Sequence, residues 1–316
     1  MTKARNVLII IAALMATAVI GSLVWMNFAP KEQVAEALIQ FQRTRAGLEA
    51  KTIAIPGFRV AYMEGGFGDP LVLIHGSGDD KDHWTRVAKY LTKHYRVIAM
   101  DLPGFGESDK PAERRYTALE QVENVKAFTR ALGLKSLHLG GHSLGGKISA
   151  IYAATNPSEV KSLWLLAPAG VYSSQPSEMQ QMLSQGSRVP ISGRTMKMFD
   201  QLQYLVMNKP PYVPRPVKKV LIDRAILDYD LHNRIYQEIN QEAFALEDIA
   251  DDLTMPTRIV WGDRDRILHP SGAEILDGLL PESSVLILKG IGHVPMLEEP
   301  RRVAEDYNGF RQSAFN

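Results

Sequence analysis

Gly141-His142-Ser143-Leu144-Gly145 sets a hydroxyl between glycines two residues to either side. It follows a short apolar stretch and opens a second, helix-like one. A serine on so sharp a strand-to-helix turn has the pattern of an exposed nucleophile. The turn needs close neighbours without side chains, hence the glycines. A helix starting there also aims backbone N–H groups at a developing oxyanion. The bare pattern is common because glycine is common; its position between a strand and a helix gives it weight. The chemistry is acyl transfer through the Ser143 oxygen.

Such a serine needs a base and an acid. Gly292-His293-Val294-Pro295 follows the last apolar strand pattern, so His293 can reach Ser143 as general base. Two carboxylates follow the strand ending at Trp261, in Gly262-Asp263-Arg264-Asp265. Asp265 lies further into the loop and is preferred as the partner of His293. Asp263 is expected to brace the loop or pair with an arginine. The strand ending at Leu166 is followed by Ala167-Pro168-Ala169-Gly170, which has no carboxylate. His75-Gly76-Ser77-Gly78 follows the apolar run ending at Ile74. Its backbone can lend a second N–H, that of Ser77, beside that of Leu144; the alternative is a plain strand-to-helix turn. His75 reads as a structural hydrogen-bonder, His83, His94 and His232 as surface residues, and His269 as a weaker loop candidate. There is no His-Glu-x-x-His pair and no dinucleotide fingerprint, so no metal and no cofactor are expected.

The elements that must position these residues alternate. Leu71 to Ile74, Tyr95 to Met100, Leu137 to Leu139, Leu163 to Leu166, Arg258 to Trp261 and Ser284 to Leu288 read as buried strands. Helical patterns such as Ala118 to Leu132 and Gly146 to Ala154 lie between them. This predicts an α/β fold, a mostly parallel sheet flanked by helices, with ligands at the carboxyl ends of the strands. Thr52 to Ile55 and Phe58 to Tyr62 flank a Pro56-Gly57 turn. Gly65-Gly66-Phe67-Gly68 is expected to be a hairpin loop. From 169 to 253 no buried strand pattern occurs, and the interval is too long for a plain loop. It is expected to be a helical cap, with Met179, Met182, Met196, Met198, Phe199, Leu202, Leu205 and Met207 supplying an acyl-binding wall. The expected organisation is therefore 1–30 as anchor or uncleaved signal and 31–50 as helical connector. The core comprises 51–168 and 254–316, with 169–253 as cap. In the connector, Val34, Leu38 and Phe41 recur at helical spacing and are expected to pack on the core.

The chain has 316 residues, a formal net charge of +1 and no cysteine. The near-neutral balance, with no basic block beyond Lys218-Lys219, argues against nucleic acid. The absence of cysteine excludes disulfides, thiolate metal sites and a thiol nucleophile. Lys3 and Arg5 precede an uncharged apolar run from Val7 to Phe28. As a helix it would span roughly 33 Å, enough to cross a bilayer core. Ala16-Thr17-Ala18 resembles a signal cleavage site but sits inside the run. Anchored or cleaved, the run predicts export, with the basic end left in the cytoplasm.

On these residues, from about Lys51 to the end, the chain resembles the α/β-hydrolases. Asp101-Leu102-Pro103-Gly104-Phe105-Gly106-Glu107-Ser108 is similar to a loop found widely in that superfamily. Lys209-Pro210-Pro211-Tyr212-Val213-Pro214, Lys161-Ser162-Leu163-Trp164-Leu165 and Gly292-His293-Val294-Pro295-Met296 resemble the family V bacterial lipases. The resemblance implies hydrolysis of carboxylic esters by Ser143, Asp265 and His293, with a small ester or lipid as substrate. Two other readings stay open: a carbon–carbon bond hydrolase on the same residues, and an inactive membrane-anchored binding protein.

Overall fold

The computed structural model describes residues 6–7, 29–186, 193–242 and 244–315. The expected membrane segment falls almost wholly on residues 8–28 and so lies outside the described residues. Among those described, no helix is long and apolar enough to cross a membrane.

The strands are β1 (Glu49–Ile55), β2 (Phe58–Gly65), β3 (Pro70–Ile74), β4 (Arg96–Met100), β5 (Leu137–His142), β6 (Val160–Leu166), β7 (Thr257–Gly262) and β8 (Ser283–Leu288). They form one sheet in the order β1-β2-β4-β3-β5-β6-β7-β8. Only the β1–β2 and β2–β4 pairings are antiparallel. Strands β3 to β8 run parallel to one another. In β3, Leu71 and Leu73 pack into the apolar cluster on one face, Val72 and Ile74 into that on the other. Side chains alternate across a strand, so a continuous apolar run requires cover on both faces.

The helices are α1 (Lys31–Arg45), α2 (Thr85–Leu91), α3 (Ala118–Ala131), α4 (Leu144–Thr155), α5 (Glu178–Ser184), α6 (Met196–Val206), α7 (Arg215–Leu227), α8 (Tyr229–Gln241), α9 (Ser271–Leu279), α10 (Pro295–Glu298) and α11 (Pro300–Phe315). Thr117 starts α3 with a capping box, accepting from Glu120 N while the Glu120 carboxylate accepts from Thr117 N, which satisfies two otherwise orphaned donors. Helices α5 to α8 all fall in the insertion between β6 and β7.

Two local expectations are corrected. Gly65 to Gly68 is not a hairpin loop, because β4 lies between β2 and β3. The loop crosses over the edge of β4 instead, and a Cβ on Gly66 would sit 2.3 Å from the Tyr95 carbonyl oxygen. The apolar β3 takes the doubly covered position, and β2 pairs with β4 in its place. In α1, Val34 is buried but Phe41 is 56% exposed. The inward position goes to Arg43, whose Nε and Nη2 donate to Asp82 at 2.7 and 2.5 Å. A half-buried carboxylate needs a cation more than the core needs another ring.

The sheet order reverses at β3: its successor β4 lies on one side and β5 on the other. The crevice at the carboxyl ends of β3 and β5 is where such a sheet leaves space for a ligand. The His75 turn leaves β3 at that point, and Ser143 leaves β5.

Candidate active site

Ser143 has φ 53° and ψ −117°, left-handed backbone at a non-glycine residue. Such a conformation is costly and persists only where the surroundings over-determine it. Here they do. The Ser143 N–H donates to the Leu166 carbonyl at 3.0 Å, and its own carbonyl accepts from Ala169 N at 2.9 Å. The flanking glycines are required by space: a Cβ on Gly141 would lie 2.1 Å from the Gly145 oxygen, and one on Gly145 would lie 2.2 Å from the Ile74 oxygen. The elbow is thus wedged between β3 and its own helix α4.

His293 Nδ1 lies 2.7 Å from Asp265 Oδ2. The Asp265 side chain is fully buried and that of His293 nearly so. Asp265 Oδ1 also accepts from the N–H groups of Ile267 and Leu268 at 2.8 and 3.0 Å, and Oδ2 from Trp261 Nε1 at 2.9 Å. Donors to both of its oxygens fix the orientation of the carboxylate. Asp263 is placed elsewhere: its Oδ1 accepts from Gly290 N at 2.6 Å, so it braces the loop that leads to His293.

His142, next to the elbow serine, joins three parts of the site. Its Nε2 donates to the His293 carbonyl at 2.9 Å, and the two rings stand 4.8 Å apart. With that proton on Nε2, Nδ1 is bare; it is buried without a hydrogen-bond partner, 3.6 Å from Asp79 Oδ2. Burial pushes His142 below the usual imidazole range, with Asp79 opposing. Burial also works against ionisation of Asp79, yet the charged His83 beside it holds its carboxyl at about 2. Gly76 leaves room for this contact, since a Cβ there would lie 2.9 Å from both Asp79 Oδ2 and His142 Nδ1.

Ser77 and Leu144 head the turns after β3 and β5, and among the described residues neither amide donates to another protein group. His75 is structural: Nε2 accepts from Leu102 N at 3.0 Å. His94 is exposed, but His83 and His232 are half-buried, which corrects the surface reading. His83 stands 3.1 Å from Asp79, and His232 stacks on Phe105 at 4.9 Å. His269 turns to Ser271 Oγ at 2.9 Å.

A cleft of about 670 Å³ runs from Ser77 and Gly78 between α1, α6 and α7. Phe199, Leu202, Val206 and Met207 form one wall, and Leu38 and Ile39 of α1 contribute to the other. Of the apolar residues expected in the acyl wall, Phe199, Leu202 and Met207 line this cleft. Met182 and Leu205 line a separate depression with Tyr204 and Arg266, while Met179, Met196 and Met198 line neither. Phe199, Leu202 and Val206 recur at helical spacing and so share one face of α6.

Sequence reasoning missed His142, Trp261 and the contribution of α1. The one available signal was position: His142 precedes the elbow, and Trp261 lies near the end of the strand that leads to Asp265.

A family model described as alpha/beta hydrolase fold matches residues 69–300. The chain is 37% identical to Lipase 1 of Psychrobacter immobilis over 284 residues, covering 87% of this chain and 88% of that one. It is likewise 37% identical to Lipase 3 of Moraxella sp. (strain TA144), covering 87% and 89%. Among solved structures, a membrane phospholipase A described as a bacterial virulence factor superposes with a TM-score of 0.88 at 36% identity, covering 98% of this chain and 99% of that one.

Proposed function

The chain belongs to the α/β-hydrolase fold family, and on that footing we propose that it hydrolyses carboxylic esters of lipids through a Ser143–His293–Asp265 triad. The observation that carries the reading is the buried 2.7 Å contact between His293 Nδ1 and Asp265 Oδ2. It commits Nδ1 to the carboxylate and leaves Nε2 as the proton acceptor.

Nε2 of His293 takes the Ser143 proton as the oxygen attacks the ester carbonyl. The tetrahedral oxyanion is held by the Ser77 and Leu144 N–H groups. Collapse breaks the acyl–oxygen bond, and the proton passes from Nε2 to the departing alcohol. Water then attacks the acyl-enzyme carbonyl, giving a proton to Nε2; collapse breaks the acyl–Ser143 bond, Nε2 returns the proton to the Ser143 oxygen, and the fatty acid leaves. Asp265 stays ionised and stabilises the imidazolium. The apolar wall of Phe199, Leu202 and Val206 suits an acyl chain, and the relatives named lipase and phospholipase support a lipid ester. The insertion at 169–253 serves as the cap over this site.

A panel of p-nitrophenyl esters set against a vinylogous diketone tests the reaction class. Ester turnover that far exceeds diketone cleavage is expected; preferential carbon–carbon cleavage would overturn the reading. The uncharged run from Val7 to Phe28 behind Lys3 and Arg5 supports an exported, membrane-anchored enzyme. Cell fractionation with N-terminal mass spectrometry tests this: an intact, soluble cytoplasmic chain would refute it.

A further inference from the structure

The loop that carries His293 leans on the insertion as well as on the core. His293 N donates to the Val206 carbonyl at 2.8 Å, at the last turn of α6. Asn208 Nδ2 donates to the Gly290 carbonyl at 3.0 Å. The Glu298 carboxylate holds both segments at once: Oε1 accepts from Gly292 N at 2.8 Å and Oε2 from Lys209 N at 2.7 Å. The two segments run so close that a Cβ on Gly292 would lie 2.8 Å from both Asn208 N and the Val206 oxygen.

Glu298 stands on firm ground. It ends α10, whose Met296 is fully buried. One oxygen therefore fixes the residue before the base, and the other fixes the backbone leaving α6. That same helix presents Phe199, Leu202 and Val206 to the cleft. The helix that lines the cleft thus ends on the turn whose last carbonyl receives the His293 N–H.

We infer that Glu298 is a positioning residue that joins the acyl-wall helix to the general base, so that occupancy of the wall sets how well His293 is placed. The inference rests on the triad and acyl-wall reading above. Its physical content is a split between binding and turnover. If the wall only bound the chain, longer acyl groups would lower KM and leave kcat alone. With the link in place, longer chains raise kcat, because a base misplaced by about 1 Å costs on the order of 10²-fold.

Glutamine at 298 has one acceptor oxygen and turns an NH₂ group toward one of the two N–H donors, so it breaks half of the clamp. The experiment measures kcat and KM for p-nitrophenyl acetate, butyrate and laurate in the wild type and in Glu298→Gln. Thermal midpoints are recorded for both, and Ser143 is labelled with a fluorophosphonate in the wild type. The expected result is a wild-type kcat that rises with chain length. In a folded Glu298→Gln variant, kcat on laurate should fall roughly 10- to 100-fold, KM should stay within about twofold, and the laurate-to-acetate kcat ratio should flatten. A folded variant that keeps the wild-type kcat ratio overturns the inference. Should Glu298→Gln fail to fold, Asn208→Ala cuts the same link from the side of the insertion; a smaller flattening of the ratio supports the inference, and an unaltered ratio overturns it. An unlabelled wild type removes the triad reading and this inference with it. A labelled wild type with an unaltered ratio removes the coupling alone.

Discussion

At the scale of single residues, the two carboxylates after β7 make a controlled comparison. Asp265 meets His293 Nδ1, and Asp263 holds a loop backbone N–H. Asp265→Asn should lose roughly 10⁴-fold in kcat, because an amide neither fixes the tautomer nor stabilises the imidazolium. Asp263→Asn should lose far less, since its remaining carbonyl oxygen can still accept from Gly290 N. Steady-state kinetics on both purified variants decides it, and the reverse order of damage would move the acid to Asp263. The place of Ser143 at the end of β5, and the meeting of Asp265 with His293, were legible in the sequence because each residue sits just past a recognisable strand, and strand ends converge in a parallel sheet. His142 and Glu298 were not. Their roles depend on backbone groups of distant segments, His293 O and Lys209 N, and no local spacing encodes such partners.

At the scale of elements, the apolar runs of β3 to β7 named their own positions, since a strand without a polar face must lie inside a sheet. Pairing order was less visible. The short glycine-rich link after β2 suits a hairpin, and the strand order, with β4 between β2 and β3, rules it out. In the insertion, the sequence marked the helices and three of the residues that line the cleft, Phe199, Leu202 and Met207, while Met179, Met182, Met196, Met198 and Leu205 lie off it. Each methylene held in the cleft should contribute up to about 0.8 kcal/mol, so kcat/KM should climb with acyl length until the wall ends. Leu202→Trp shortens the space. The predicted outcome is an earlier plateau, with a loss that grows from acetate to laurate. An unchanged chain-length profile in the folded variant would take the acyl chain out of this cleft.

At the scale of the whole molecule, buried imidazoles set the acid behaviour. Burial drives His75 and His138 down to about 4, against an ordinary value of 6.5. Between those values the unfolded chain binds a proton at each position and the folded chain does not. Stability is therefore lost as pH falls from about 6.5 toward 4, by up to about 1.4 kcal/mol per pH unit for each imidazole. Asp101 opposes this: burial raises it to about 6 despite Lys81 beside it, so the fold gains a proton there on acidification. A difference measurement isolates one group. Urea titrations of the wild type and His138→Gln across that range should show the steeper loss in the wild type, and parallel curves would contradict it.

The central claim is that Ser143, activated by His293, is the nucleophile. Fluorophosphonate labelling followed by peptide mass spectrometry reads this directly, because the reagent bonds only to an activated hydroxyl. One adduct per chain is expected, on the peptide containing Ser143, and none in a folded Ser143→Ala variant. A folded wild-type protein left unlabelled, or labelled at another serine, would contradict it.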